Sequence, residues 1–145
     1  INATVLEAMS AYCCSESVTD DQKEFVNKLC SSFGKVMPLP ESYFPLFCSI
    51  AGCAPAYAYM FIDSLARSAV KNGMNKSVAL EIAAQTVLGS AKKILESDEH
   101  PWELIDKVCS PGGTTIEGIV SLQKDGFESA VCNAVDAALQ KDKKV

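Results

Sequence analysis

Lys107-Val108-Cys109-Ser110-Pro111-Gly112-Gly113-Thr114-Thr115-Ile116-Glu117-Gly118 decides how this chain is read, because it interrupts two apolar helical patterns. Pro111 fixes its own φ and removes a backbone donor, and the two glycines behind it leave the chain free to turn sharply. Thr114, with Glu117 three residues on, has the spacing of a capping box at a helix start. A tight glycine turn feeding a helix N-terminus leaves backbone N–H groups without intrahelical partners, and these can hold a carboxylate or a phosphate. The same spacing also describes a plain loop and cap between two helices. Spacing alone leaves both readings open.

Working outward, Pro101 opens a helix carrying Trp102, Ile105 and Val108, with Asp98 or His100 as its cap. After the loop, a short helix over about residues 115–124 carries Ile119 and Leu122 and ends at Asp125-Gly126. A last helix repeats Phe127, Val131, Val135 and Leu139 four residues apart, a stripe suited to docking against other helices. Two longer helices precede them. The first has Pro55 in its opening turn, an apolar face of Tyr59, Ile62, Leu65, Ala66, Ala69 and Val70, and an end near Asn72-Gly73. The second starts at Asn75 or Ser77 and is almost wholly apolar over residues 82–91. A surface helix does not look like that, so it is expected to be central, with contacts on most sides.

The N-terminal part reads differently. Residues 9–14 suit a short strand, Thr19 with Gln22 forms a capping box for a helix, and residues 33–37 are extended and closed by Pro38 and Pro40. Strand, helix and strand of this length look like the end of an α/β domain, since two strands do not make a stable sheet by themselves. Pro38, Pro40 and Pro45, with Tyr43, Phe44 and Phe47 among them, mark a linker that packs down. The expected class is mainly α: a helical, bundle-like domain over residues 46–145, preceded by a strand-helix-strand remnant and linker over residues 1–45.

A chain of 145 residues suits one domain with a real core. Hydrophobic residues make up 48% and charged residues only 21%, which points to surface covered by a partner, most simply a second subunit. The most apolar run, residues 46–62, is broken by Pro55 and stops at Asp63, so no membrane span is expected. The net charge of −5 offers nothing to a polyanion, which excludes nucleic acid as a partner. Lys141, Lys143 and Lys144 read as a solvated tail. The chain begins at Ile1, and its start reads as internal to a longer gene product.

The seven cysteines include no Cys-x-x-Cys pair and stand beside a single histidine, so they are read as small core residues of a reducing compartment, with no metal site. No nucleophile–base pair is visible. His100 precedes Pro101 at a helix start, which favours a capping role over catalysis. Lys107 sits just before the loop, where a cation helps to hold an anion. Without a Gly-x-Gly-x-x-Gly or P-loop, this chain alone is not expected to cradle a dinucleotide in the usual way.

Two stretches resemble pyrroline-5-carboxylate reductase. Ala51-Gly52-Cys53-Ala54-Pro55-Ala56-Tyr57 is similar to the family's Ser-Gly-Ser-Gly-Pro-Ala-Tyr, departing at Ala51, Cys53 and Ala54. Residues 109–118 look like the family signature itself. Residues 84–91, Glu99-His100-Pro101 and Asn133-Ala134-Val135 match as well, so the resemblance covers essentially the whole chain. It implies an N-terminal Rossmann-type domain that binds NADPH or NADH, of which this chain carries only the last strand-helix-strand. It also implies a complete helical domain that forms at least an interlocked homodimer. The implied reaction is cytoplasmic reduction of 1-pyrroline-5-carboxylate to proline, with this piece inactive by itself. The alternative is a non-catalytic dimerisation module.

The resemblance further implies that Ser110, Gly112, Gly113, Thr114 and Thr115 anchor the substrate carboxylate, with the N–H groups of Gly113, Thr114 and Thr115 as donors. Val108 would line the ring, and the Thr115 hydroxyl would sit beside the ring nitrogen, the one candidate for a catalytic group. Glu41 matches a linker acid near the substrate in some relatives. Lys107 stands where relatives can have an asparagine near the nicotinamide, and Gly52 lies at a helix start close to it.

Overall fold

The computed structural model describes residues 1–142, so Lys143 and Lys144 of the expected tail lie outside the described residues. The chain divides into two compact units, one made of residues 1–55 with the end of the chain from Val135, the other of Ala56–Ala134.

In the first unit, β1 (Ala8–Tyr12) and β2 (Gly34–Pro38) run parallel, paired from Ala8 with Gly34 to Tyr12 with Pro38. They are joined by α1 (Asp20–Ser31), the connection that parallel neighbours require. The capping box forms: the Gln22 N–H donates to Thr19 Oγ1, and the Thr19 N–H to Gln22 Oε1 at 2.9 Å. At Gly34 a Cβ would lie 2.1 Å from the Ala8 carbonyl oxygen, so only glycine lets the strands meet there. Pro38 needs no donor at the end of its strand, and the Leu39 N–H continues the ladder onto the Tyr12 carbonyl at 3.0 Å.

The linker is not a linker in shape. A 3-10 turn (Glu41–Tyr43), the short α2 (Phe44–Phe47), a π turn (Cys48–Gly52) and α3 (Ala54–Lys71) follow without a break, a helical run of 31 residues. The π turn explains how Pro55 fits inside it. Proline crowds the preceding turn and offers no N–H, and a wider turn ahead of it, closed here by Cys53 N–H to the Cys48 carbonyl at 3.1 Å, relieves both. Ser49 is buried in that turn and donates its hydroxyl to the Pro45 carbonyl at 3.0 Å. By length and composition this run is long and apolar enough to cross a bilayer, contrary to the expectation that Pro55 and Asp63 break it.

In the second unit, α3 ends in a Schellman turn. The N–H of Gly73, at φ +96°, reaches the Val70 carbonyl, and that of Met74 reaches Ala69. Asn75 then caps α4 (Lys76–Leu95) through its side chain to the Ser77 N–H at 2.9 Å. Next come α5 (Pro101–Val108), α6 (Thr114–Lys124) and α7 (Phe127–Asp142), of which only the part up to Ala134 belongs to this unit. The buried core joins α3 to α4 and is small: Ala66, Ala79 and Ala83, with Ile62 and Ala69 packed on it. Alanine at each contact lets the helix backbones approach closely. Phe61 of α3 meets Phe127 of α7 with ring centroids 5.9 Å apart.

Two expectations fail within this chain. Helix α4 is not surrounded: Ile82 is 52% and Leu88 55% exposed. Nor are the cysteines core residues. Cys13, Cys14, Cys48, Cys53 and Cys132 are exposed, and Cys30 and Cys109 half-buried, all as free thiols. The cause is the same in both cases. Apolar composition says which groups avoid water, but a chain that buries little by itself leaves them on its surface.

Candidate functional site

The signature loop begins where α5 ends. Cys109 is extended, and Ser110-Pro111-Gly112-Gly113 makes a β-turn in which the Gly113 N–H donates to the Ser110 carbonyl at 2.9 Å. Pro111 in the second position and Gly112 at φ +67° in the third give the type II pattern, in which the third residue must reach the left-handed region. Gly113 is constrained differently. Its own backbone is ordinary, with φ −80° and ψ 167°, but a Cβ would lie 2.3 Å from Ser110 Oγ and 3.1 Å from Ser110 O. The turn is folded onto the space that a side chain at residue 113 would fill.

Two expectations about this loop are corrected. Thr114 and Glu117 form no capping box, because α6 starts one residue early. Gly113 is the N-cap, Thr114 is the first helical residue, and no side chain caps the helix. Gly113 is also not an open donor, since its N–H already closes the turn. The donors left without an intrahelical partner start at Thr114 and Thr115, at the end of a helix whose dipole favours negative charge.

The loop opens beside a groove of about 680 Å³ between α4, α5 and α6, walled by Thr86, Gly89 and Ser90 on one side and by Leu104, Ile105, Lys107, Val108, Thr115 and Ile119 on the other. The structure thus brings Lys107, Val108 and Thr115 together. Val108 is 67% exposed at its rim, and Thr115 is half-buried. Glu41 and Gly52 belong to the other compact unit. Glu41 is exposed in the first 3-10 turn after β2, and Gly52 ends the π turn with no atom within 4 Å of where a Cβ would stand.

His100 is the N-cap of α5. Its Nδ1 accepts from the Trp102 N–H at 3.2 Å, while its own N–H donates to Glu103 Oε2 at 2.9 Å. Its imidazole is occupied by structure, as its place before Pro101 suggested, and Asp98 is not the cap. Sequence reasoning missed Glu99. This side chain lies ahead of the cap and ion-pairs with Lys107 at the far end of α5. Its other oxygen lies 4.0 Å from Lys93 Nζ and accepts from the Ser97 hydroxyl at 3.2 Å. A separation of eight residues across a helix carries no local pattern that would have revealed it.

A second cavity, of about 600 Å³ and almost wholly apolar, lies between α3 and α7, with Met60, Phe61, Leu65, Phe127 and Val131 on its wall. Tyr57 closes one end, its hydroxyl donating to the Ala134 carbonyl at 3.4 Å. Among the described residues no group of three or more histidine, cysteine or carboxylate side chains is placed to hold a metal ion.

Comparison with known proteins gives a consistent result. Residues 41–145 match the family model described as pyrroline-5-carboxylate reductase dimerisation. The chain is 40% identical over 145 residues to the pyrroline-5-carboxylate reductase of Methanosarcina acetivorans, covering all of this chain and 54% of that protein. It is 39% identical over 143 residues to the enzyme of Synechocystis, covering 99% of this chain and 54% of that one. Among solved structures, the 1-pyrroline-5-carboxylate reductase of Streptococcus pyogenes superposes with a TM-score of 0.92 at 41% identity, over 99% of this chain and 56% of that one. The Plasmodium falciparum pyrroline carboxylate reductase, solved with NADP bound, superposes with a TM-score of 0.92 at 36% identity, over 99% and 58%. The chain spans about half the length of the relatives it matches. By its signature loop, its helical fold and these likenesses, the chain belongs to the pyrroline-5-carboxylate reductase family.

Proposed function

We propose that this chain is the substrate-binding and dimer-forming half of an NADPH- or NADH-dependent enzyme that reduces 1-pyrroline-5-carboxylate to L-proline in the cytoplasm. The observation that carries the reading is the type II turn ending in an uncapped helix start, at the rim of a groove that also holds Val108 and Thr115. The substrate is a small ring with one carboxylate and one C=N bond. A helix start with open N–H groups suits the carboxylate, and Val108 offers an apolar edge to the ring.

Reduction adds a hydride to the C=N carbon and a proton to the nitrogen, leaving a secondary amine. When bound, the nicotinamide supplies the hydride. The residues of this chain hold the ring still and aligned, which removes much of the entropic part of the barrier. Ser110, Gly112, Gly113, Thr114 and Thr115 form the carboxylate anchor, with the N–H groups of Thr114 and Thr115 as donors. The Thr115 hydroxyl, half-buried on the groove wall, takes the place beside the ring nitrogen. His100 takes no part. Little here fits a dinucleotide: Lys107 is paired with Glu99, and Gly52 is a bare exposed backbone position. Most of the cofactor's contacts are therefore assigned to a preceding domain, with residues 1–45 as its last part and residues 46–145 as the dimerisation domain.

The exposed apolar residues of α4 and the apolar cavity between α3 and α7 are assigned to the homodimer, at least an interlocked pair. The same assignment explains the apolar 31-residue helical run without a membrane, since the dimerisation model begins at its first residue. These open faces also support the second reading, a dimerisation module without catalysis. A proline-forming assay separates the two, run on the complete gene product and on this chain. Turnover by a product roughly twice this length, and not by this chain, supports the reductase. No turnover by either leaves the module. In the complete enzyme, Gly113→Val is expected to abolish L-proline binding while the dimer persists, and unchanged affinity would sink the loop assignment.

A further inference from the structure

Beyond keeping Lys107 from a dinucleotide, the Lys93–Glu99–Lys107 cluster is given no task in the reading above. Two ammonium groups on the wall of one groove share a single carboxylate: Lys107 ion-pairs with Glu99 Oε2, and Lys93 stands 4.0 Å from Oε1. Glu99 is held for that task. It is 31% exposed at its side chain, its Oε1 accepts from the Ser97 hydroxyl at 3.2 Å, and its own N–H donates to Ser97 Oγ at 3.2 Å. Lys107 belongs to the last turn of α5, three residues before the anion loop, yet its ammonium is drawn back to the residue ahead of that helix's cap.

We infer that Glu99 is a positioning residue that sets how tightly the loop holds an anion, by withholding the Lys107 charge from it. The inference rests on the carboxylate-anchor reading of residues 110–115. A cation free beside an anchor strengthens the hold on substrate and product alike, since both carry the same carboxylate. Uniform tightening of that kind lowers KM without raising kcat and slows product release. Pairing Lys107 with Glu99 cancels most of its field at the loop, so the anchor works mainly through backbone N–H groups.

The test is a cycle on the complete enzyme, with L-proline as the probe and calorimetry or product inhibition as the readout. Glu99→Gln keeps the shape and removes the charge. It is expected to tighten proline binding about fivefold at low salt and to steepen the fall of affinity with added salt, as charges near a surface do. KM for the imine should fall in step, with kcat unchanged or lower. In a Lys107→Met background the gain from Glu99→Gln should vanish, whereas in a Lys93→Met background it should remain. A gain of equal size without Lys107, or no gain in an enzyme that binds proline normally, overturns the inference while leaving the reductase reading intact. An enzyme that binds no proline in any version overturns both. Glu99→Asp keeps the charge and should retain wild-type affinity if positioning by charge is the cause.

Discussion

Replacing Gly113 by alanine probes the loop at its tightest point. The new methyl would stand 2.3 Å from Ser110 Oγ and 3.1 Å from the Ser110 carbonyl oxygen. The hydroxyl is the end of a short side chain and can rotate away. The carbonyl cannot, because it accepts the Gly113 N–H that closes the turn. Moving it by a few tenths of an ångström opens the turn and tilts the Thr114 and Thr115 N–H groups. Overpacking of this kind costs about 1–3 kcal/mol, and about 2 kcal/mol is the expectation here. Carried wholly into binding, that is about a 30-fold rise in the Kd for L-proline.

The two contacts can be separated. In a Ser110→Ala background the 2.3 Å contact is gone and the Cβ, at 3.5 Å, is in ordinary contact, while the carbonyl contact at 3.1 Å remains. Gly113→Ala should still cost most of the about 2 kcal/mol there, at least about tenfold in Kd, because the carbonyl contact is unchanged. Calorimetric titration of the four versions of the complete enzyme gives the coupling directly. Gly112→Ala is the control. Nothing lies within 4 Å of its Cβ position, but φ is +67°, so its cost of about 1 kcal/mol is backbone strain and should not depend on Ser110. A penalty for Gly113→Ala that disappears with the Ser110 hydroxyl would refute the assignment of the cost to the carbonyl.

The remaining predictions concern the scaffold. His100→Ala removes the acceptor for the Trp102 N–H and should cost about 1 kcal/mol, seen as a melting temperature lower by a few degrees, while His100→Asn retains most of it. Catalytic rates should follow stability alone in both variants, since the imidazole is given no chemical role. Leu88→Glu puts a charge on a residue that is 55% exposed within the chain. Its effect on the fold of one chain should stay within about 0.5 kcal/mol, as for other surface changes, while sedimentation shows the dimer dissociating. A dimer unchanged by that charge would remove α4 from the proposed interface.

What the sequence determined by itself is local. Thr19 with Gln22, Asn75 or Ser77, and Asp98 or His100 announce three helix starts because a capping side chain reaches a backbone only two or three residues away, and the structure selects Asn75 and His100. Ser-Pro-Gly-Gly announces a turn because proline fixes φ and glycine admits a positive φ, whatever surrounds them. The strand-helix-strand order was likewise legible, and the structure pairs the two strands in parallel. The loop was legible as a loop, and as a family signature, but not in its details. That α6 starts at Thr114 and leaves Glu117 without a capping task depends on where the turn ends in space.

Tertiary structure alone decided the rest. Whether the residues from Glu41 to Lys71 break at their prolines or run on is settled by a π turn, a compromise of hydrogen bonds that composition does not encode. Whether an apolar helix is buried depends on what packs against it. The α4 stripe therefore reads as core in the sequence and stands half open in the chain. Glu99, between α4 and α5, meets Lys93 and Lys107 only because folding brings together the two helices that carry them. Short-range hydrogen bonds can be read along the chain, whereas ion pairs and burial depend on residues that only folding makes neighbours.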